Sequence, residues 1–116
     1  MTITLRLSYP PSANRLWRNI RGRTIKSAEY RHWLALVYGE ILVARCGRIS
    51  GAYRLEVRAT APDRRRRDID NLLKPISDAL VTSGVVADDC AAISVYAEWA
   101  PDIVTGGQII ATVRAA

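Results

Sequence analysis

Apolar and polar residues alternate along four stretches of the chain, and this alternation predicts β-strands. The first two stretches are TITLRLS at 2–8 and YRLEVRATA at 53–61, both rich in β-branched or aromatic residues. The other two are ISVYAEWA at 93–100 and GQIIATVRA at 107–115. Each strand has one apolar and one polar face, as expected of a half-buried strand in a small sheet.

Two further stretches carry apolar residues at helical spacing. The longer one predicts a helix over 28–45, with Ser27 as its N-cap. The second predicts a helix over about 72–83, ended by Gly84. Pro75 conflicts with a helix that begins at residue 72, because proline beyond the first turn removes a backbone hydrogen bond. The second helix therefore either begins late or is kinked at Pro75.

The predicted order β-α-β-α-β-β indicates an α+β fold, a mixed α/β sandwich. Two helices would pack on a small mixed sheet of about four strands. Residues 1–116 are expected to form a single domain, because no linker or repeat divides them and 49% of the residues are hydrophobic. The segment from residue 9 to about residue 24, rich in proline and arginine, is predicted to be a loop.

The charge balance indicates an acidic partner. The formal net charge is +6 at pH 7 and the pI is about 9.9, which is typical of proteins that bind nucleic acid. Part of this charge falls in and just after the predicted loop, and Trp17 lies within it. Trp17 could stack on an exposed base or anchor the loop, and the sequence does not separate these readings. The basic residues concerned are Arg15, Arg18, Arg21, Arg23 and Lys26.

The stretch PDRRRRDIDNLLKP at 62–75 joins four arginines to two aspartates. Asp68 and Asp70 are two positions apart, so an extended backbone would place both side chains on the same side. Asp88 and Asp89 follow eighteen and nineteen residues after Asp70, beyond the second helix. That helix could return the chain to the same edge of the sheet, where three or four carboxylates would meet. Such a cluster favours a hard divalent cation.

The residues around the aspartates are suited to phosphate chemistry. Mg²⁺ usually completes its coordination with substrate phosphates, and it activates water for phosphodiester hydrolysis. The arginines Arg64, Arg65, Arg66 and Arg67 would hold a nucleic-acid backbone without reading its sequence. Lys74 would pair with a carboxylate or stabilise charge on the scissile phosphate. With one histidine and two scattered cysteines, a zinc site is not expected.

Three nearby residues have simpler explanations than metal binding. Asn71 is interpreted as a cap for the second helix in preference to a group that supports the metal. Asp88 either supports the metal site or only caps the turn. Asp78 is expected to form an ordinary i,i+4 ion pair with Lys74.

The stretch PDRRRRDIDNLLKPISDAL followed by GVVADD resembles the signature of the RusA family of endodeoxyribonucleases, which resolve four-way (Holliday) DNA junctions. PPSANRLWRNIRGRTIKSAEYRHW also resembles the opening of that family. The resemblance implies that Asp68, Asp70 and Asp89 bind Mg²⁺ and that Lys74 is essential. It also implies a role for Arg67 beside the first aspartate and a symmetric homodimer, which would supply two related sites for two matched cuts.

The sequence-level hypothesis is a Mg²⁺-dependent, structure-selective endonuclease that cuts four-way DNA junctions in recombination and repair, with Mn²⁺ left open as a substitute. Two alternatives remain: a non-catalytic basic junction-binding module, and a nuclease for other branched DNA. No signal peptide and no apolar run of membrane-spanning length is apparent. We therefore expect reduced cysteines, no membrane partner and a cytoplasmic location, in a bacterial or phage-derived protein.

Overall fold

The computed structural model describes all residues, 1–116. It contains two α-helices and six β-strands, with three short 3₁₀ turns at Ala13–Arg15, Ile69–Leu72 and Asp89–Ala91. The elements in chain order are β1 (Thr2–Leu7), β2 (Trp17–Ile20), β3 (Arg23–Lys26), α1 (Ala28–Ala44), β4 (Tyr53–Ala61), α2 (Leu73–Thr82), β5 (Ala92–Ile103) and β6 (Gln108–Ala115). Neither helix is long and apolar enough to cross a membrane.

Four strands form one mixed sheet in the spatial order β1-β6-β4-β5. β6 pairs antiparallel with both β1 and β4, whereas β4 and β5 are parallel. Parallel neighbours need a crossover connection, and here the crossover is the segment 62–91, which contains α2 and all the candidate catalytic residues. The predicted α+β class and mixed sheet of four strands are confirmed.

The hydrophobic core lies between one face of this sheet and the two helices. Leu55, Val57 and Ala59 of β4 are buried there, at most 1% exposed, against side chains such as Val37 of α1 and Ile76 of α2. The intervening residues of β4 are exposed, so the other face of the sheet is polar and open to solvent. The alternation in the sequence therefore predicted correctly which face of β4 is buried.

The ends of both helices follow from local chemistry. The side chain of Ser27 accepts a hydrogen bond from the backbone N–H of Tyr30 at 3.0 Å, so the predicted N-cap of α1 is confirmed. α2 begins at Leu73, which places Pro75 in its first turn, where no intrahelical N–H bond is required. Of the two readings of Pro75, the late start is the correct one. Gly84, with a φ of 76°, follows the last residues of α2 as expected.

The predicted loop before α1 is partly wrong, because it contains a β-hairpin. β2 and β3 pair antiparallel around a turn formed by Arg21 and Gly22, whose φ values of 51° and 76° suit a two-residue hairpin turn. Every residue of both strands is exposed. With neither face buried, the sequence has no reason to alternate there, and the pattern gave no strand signal. We call residues 17–26 the basic hairpin.

Candidate active site

The arginine run is shaped by Asp63, which precedes it. The carboxylate of Asp63 accepts a hydrogen bond from the backbone N–H of Arg65 at 2.9 Å and forms an ion pair with the guanidinium of Arg67 at 2.8 Å. These donors, the backbone N–H first, hold the pKa of Asp63 below its ordinary value. Arg67 also donates to the carbonyl oxygens of Asp63 and Arg65, so its guanidinium is engaged in ordering the loop.

The other arginines of the run are directed to solvent. Arg64, Arg65 and Arg66 are exposed. Arg64 and Arg66 form no ion pair within the chain, and Arg65 makes only a loose one to Asp63, at 3.6 Å. Their charges are therefore available to an anionic partner, whereas that of Arg67 is largely matched by Asp63.

Asp68 and Asp70 do not share one side of the chain, contrary to the expectation from an extended backbone. Asp68 is extended, but a 3₁₀ turn begins at Ile69 and contains Asp70. A 3₁₀ turn rotates about a third of a circle per residue, so positions two apart diverge. Asp68 borders a depression of about 720 Å³ with Tyr9 and Asn14, and Asp70 borders a different groove.

Asp70, Lys74 and Asp89 line one open groove, together with Ser77 and Cys90. The turn at 69–72 supplies Asp70, the first turn of α2 supplies Lys74, and the turn that leads into β5 supplies Asp89. The Lys74 Nζ lies 4.0 Å from the Asp89 Oδ2. The predicted return of the chain is therefore confirmed for these residues. We call this surface the Asp70–Asp89 groove.

Lys74 is paired within the groove wall. Its Nζ lies 3.0 Å from the Oδ1 of Asp78, so the predicted i,i+4 ion pair is present. The hydrogen bond to Asp78 is the main cause that raises the pKa of Lys74, and the charge of Asp89 acts in the same direction. The amine therefore stays protonated at neutral pH and presents a positive charge beside Asp89.

Asp88 caps the turn that carries Asp89, whereas Asn71 does not cap the second helix. The Asp88 side chain accepts a hydrogen bond from the backbone N–H of Cys90 at 3.0 Å and so caps the turn at 89–91. That bond is the main cause that lowers the pKa of Asp88. Asn71 does not cap α2, because the N-cap position belongs to Leu72 and Asn71 lies inside the preceding turn. The capping prediction for Asn71 is wrong.

The donor set for a divalent cation is smaller than predicted. No group of three or more histidine, cysteine, aspartate or glutamate side chains is arranged to hold a metal ion, and Asp68 lies outside the groove. Two exposed carboxylates, Asp70 and Asp89, do border the same groove. Mg²⁺ is commonly bound by one or two carboxylates, several waters and substrate phosphates, so this pair fits such an ion.

The other five basic residues predicted to bind DNA lie on and beside the basic hairpin. Arg15 lies in the turn before it, and Arg18, Arg21, Arg23 and Lys26 lie within it; all five are exposed. Trp17 is 40% exposed and its ring meets the ring of Tyr30 edge-on at a centroid distance of 5.7 Å. This contact favours the interpretation of Trp17 as an anchor of the hairpin.

Sequence reasoning missed one contact behind the groove residue Lys74, between Tyr30 and Asp78. The Tyr30 hydroxyl donates to the Oδ2 of Asp78 at 2.5 Å. Tyr30 belongs to the hydrophobic core and is 0% exposed. A buried tyrosine needs a hydrogen-bond partner for its hydroxyl, and this was the available signal.

The family model described as Endodeoxyribonuclease RusA matches residues 8–111. The chain belongs to the RusA family. It is 35% identical over 115 residues to the crossover junction endodeoxyribonuclease RusA of Escherichia coli strain K12, covering 97% of this chain and 93% of that protein. The crossover junction endodeoxyribonuclease of Enterobacteria phage 82 is also 35% identical, over 116 residues with the same coverage. The resemblance stated from the sequence motifs is confirmed, and all the candidate site residues lie within the matched range.

Proposed function

We propose that this RusA-family protein is a metal-dependent endodeoxyribonuclease that resolves four-way DNA junctions by paired, symmetric cleavage of phosphodiester bonds. The supporting observation is the meeting of Asp70, Asp89 and Lys74 in one open groove of a chain from this family. An open groove admits a DNA backbone, whereas a closed pocket would admit only a small molecule. The proposed role is in recombination and repair.

Asp70 and Asp89 are proposed to hold the divalent cation, Mg²⁺ with Mn²⁺ as a substitute. When bound, such an ion activates water and neutralises charge on the scissile phosphate. Asp68 is included as a third metal-binding carboxylate because of the family motif, although it borders the neighbouring depression. Loss of any of the three carboxylates is expected to weaken cleavage, with the smallest effect at Asp68. Asp88 is proposed to support the site by ordering the turn that carries Asp89.

Lys74 is proposed as the cationic catalytic group. Its ammonium lies in the groove beside Asp89, where it would donate to an oxygen of the phosphate. Such a fixed donor stabilises the charge that develops in the transition state.

DNA would be held by two basic surfaces. One is the run Arg64–Arg67, which precedes Asp68 and borders the neighbouring depressions, and the other is the basic hairpin with Arg15 in front of it. Exposed arginines and lysine gain affinity by displacing the counterions of the phosphates, which positions the duplex without reading its sequence.

A homodimer is proposed because two matched cuts need two related sites. The edge strand β5 supports this proposal. It pairs with β4 on one side only, and it exposes Ile93 and Tyr96 at 54% and 60%. A long edge strand with exposed apolar side chains is prone to association with another chain.

The experiment that tests the activity compares a labelled four-way junction with a linear duplex of the same sequence, with and without Mg²⁺. The proposal predicts paired, symmetric nicks in the junction only, and only with the metal. Junction binding without cleavage under Mg²⁺ or Mn²⁺ would instead indicate a non-catalytic binding module. Equal cutting of flaps or forks would indicate a nuclease for other branched DNA.

A further inference from the structure

Asp78 holds two partners at once, one on each carboxylate oxygen. The Oδ1 lies 3.0 Å from the Nζ of Lys74, and the Oδ2 accepts the hydroxyl proton of Tyr30 at 2.5 Å. The Asp78 side chain is only 16% exposed, whereas that of Lys74 is 57% exposed. A mostly buried carboxylate therefore stands between a buried tyrosine and a solvent-exposed lysine.

An ordinary i,i+4 ion pair on a helix surface would not fix the lysine. Such pairs are weak because water screens the two charges and the long lysine side chain loses rotamer freedom when the pair forms. Here the Tyr30 hydroxyl comes from α1, with its ring fully buried and stacked on Trp33 at 6.1 Å. The bond from Tyr30 fixes the orientation of the Asp78 carboxylate, so its second oxygen stays directed at Lys74.

We propose that Asp78, oriented by Tyr30, is a positioning residue that holds the Lys74 ammonium at the Asp70–Asp89 groove. This inference rests on the proposed catalytic role of Lys74. Without Asp78 the lysine side chain would sample many rotamers in solvent, and its ammonium would spend little time beside Asp89.

The first test measures the single-turnover cleavage rate of a four-way junction at saturating protein. Asp78→Ala is expected to lower the rate by about 10- to 100-fold, because a misplaced catalytic group costs about this much. Tyr30→Phe keeps the ring and removes only the hydroxyl, so a smaller loss in the same direction is expected. The dissociation constant for the junction should stay unchanged in both variants.

A double-mutant comparison separates positioning from a general structural role. In a Lys74→Ala background Asp78 has no ammonium to hold, so adding Asp78→Ala should change the residual rate by less than about twofold. An equal loss in both backgrounds would overturn the proposal. Glu56→Ala, which removes an exposed ion pair with Arg114 on the open face of the sheet, is the matched control and should leave the rate unchanged.

A second measurement does not depend on cleavage. The chain has only two lysines, Lys26 and Lys74, so the ε-methylene groups of ¹³C-labelled lysine give two assignable NMR signals. Asp78→Ala and Tyr30→Phe should both reduce the linewidth of the Lys74 signal and move its chemical shift toward that of a free lysine. The Lys26 signal should stay unchanged and serves as an internal control. An unchanged Lys74 signal would contradict the positioning role. If the wild-type protein failed to cleave junctions, the proposed function would fail while this spectrum still tested the contact.

Discussion

Gly107 occupies the most crowded backbone position among the glycines, immediately before β6. Its φ is +69°, and a Cβ atom placed there would lie 2.8 Å from the Cδ2 of Tyr9 and 3.0 Å from the carbonyl oxygen of Thr60. Gly106 has a similar φ of +85° but no atom within 4 Å of such a Cβ. Tyr9 also lines the depression beside Asp68, so Gly107 helps to shape that wall.

We predict that Gly107→Ala destabilises the protein more than Gly106→Ala. Both substitutions force a left-handed backbone on alanine, at about 1–2 kcal/mol. Gly107→Ala adds a steric clash worth about 1–3 kcal/mol. Urea unfolding measures the free energy of unfolding of both variants and of the wild type. An equal loss of unfolding free energy in the two variants would show that the Tyr9 ring moves aside without cost.

At the scale of single residues, spacing identified contacts along one helix but not contacts between elements. The pair of Lys74 and Asp78 follows from four-residue spacing on α2. The bond from Tyr30 to Asp78 joins residues 48 positions apart, and no local rule gives it. Asn71 was misassigned because its cap position depended on where α2 begins, and the 3₁₀ turn shifts that start to Leu73.

At the scale of elements, strands were predicted where one face is buried and missed where neither is. β4 was found from its alternation, with the bounds Tyr53–Ala61 as predicted. The basic hairpin has no buried face, and its only strand signal was the turn at Arg21 and Gly22. The same limit explains why Asp68 and Asp70 were wrongly expected on one side of the chain. Nothing in their polar surroundings distinguishes an extended segment from a 3₁₀ turn.

The basic hairpin is predicted to bind DNA phosphates. Replacing Arg18 and Arg23 by alanine should weaken junction binding. It should also reduce the slope of the logarithm of the binding constant against the logarithm of the salt concentration, by about 0.9 for each phosphate that the protein no longer neutralises. Arg48→Ala, an exposed arginine outside both proposed DNA surfaces, should leave the slope unchanged. The slope is obtained from dissociation constants at several salt concentrations. An unchanged slope in the double variant would remove the hairpin from the DNA-binding surface.

At the scale of the whole molecule, the order of elements gave the architecture, because a crossover between parallel strands carries α2 back to the sheet. That crossover also brings Asp70 and Asp89 to one groove, which the sequence anticipated from their spacing. The sequence did not anticipate that Asp68 would border a separate depression. The open polar face of the sheet and the exposed edge of β5 also follow from tertiary structure, because both helices pack on the same face.

The proposed homodimer is predicted to form through β5. Ile93→Glu and Tyr96→Glu each place a charge on its exposed surface and should shift the protein toward monomer. Leu42→Glu, at a 58% exposed position on α1, is the matched control and should leave the dimer intact. Sedimentation velocity at micromolar protein concentration measures the fractions of monomer and dimer. Dissociation by Leu42→Glu alone would place the interface on α1, and a monomeric wild type would contradict the dimer.

The central claim is that the Asp70–Asp89 groove cuts DNA, and it is tested by measuring binding and cleavage of one four-way junction in the same samples. The wild type, Asp70→Asn and Asp89→Asn would be compared with Asp102→Asn, an exposed aspartate outside the groove. We predict that all four proteins bind the junction, that the wild type and Asp102→Asn cleave it with Mg²⁺, and that Asp70→Asn and Asp89→Asn do not. Cleavage by Asp70→Asn at the wild-type rate would contradict the claim.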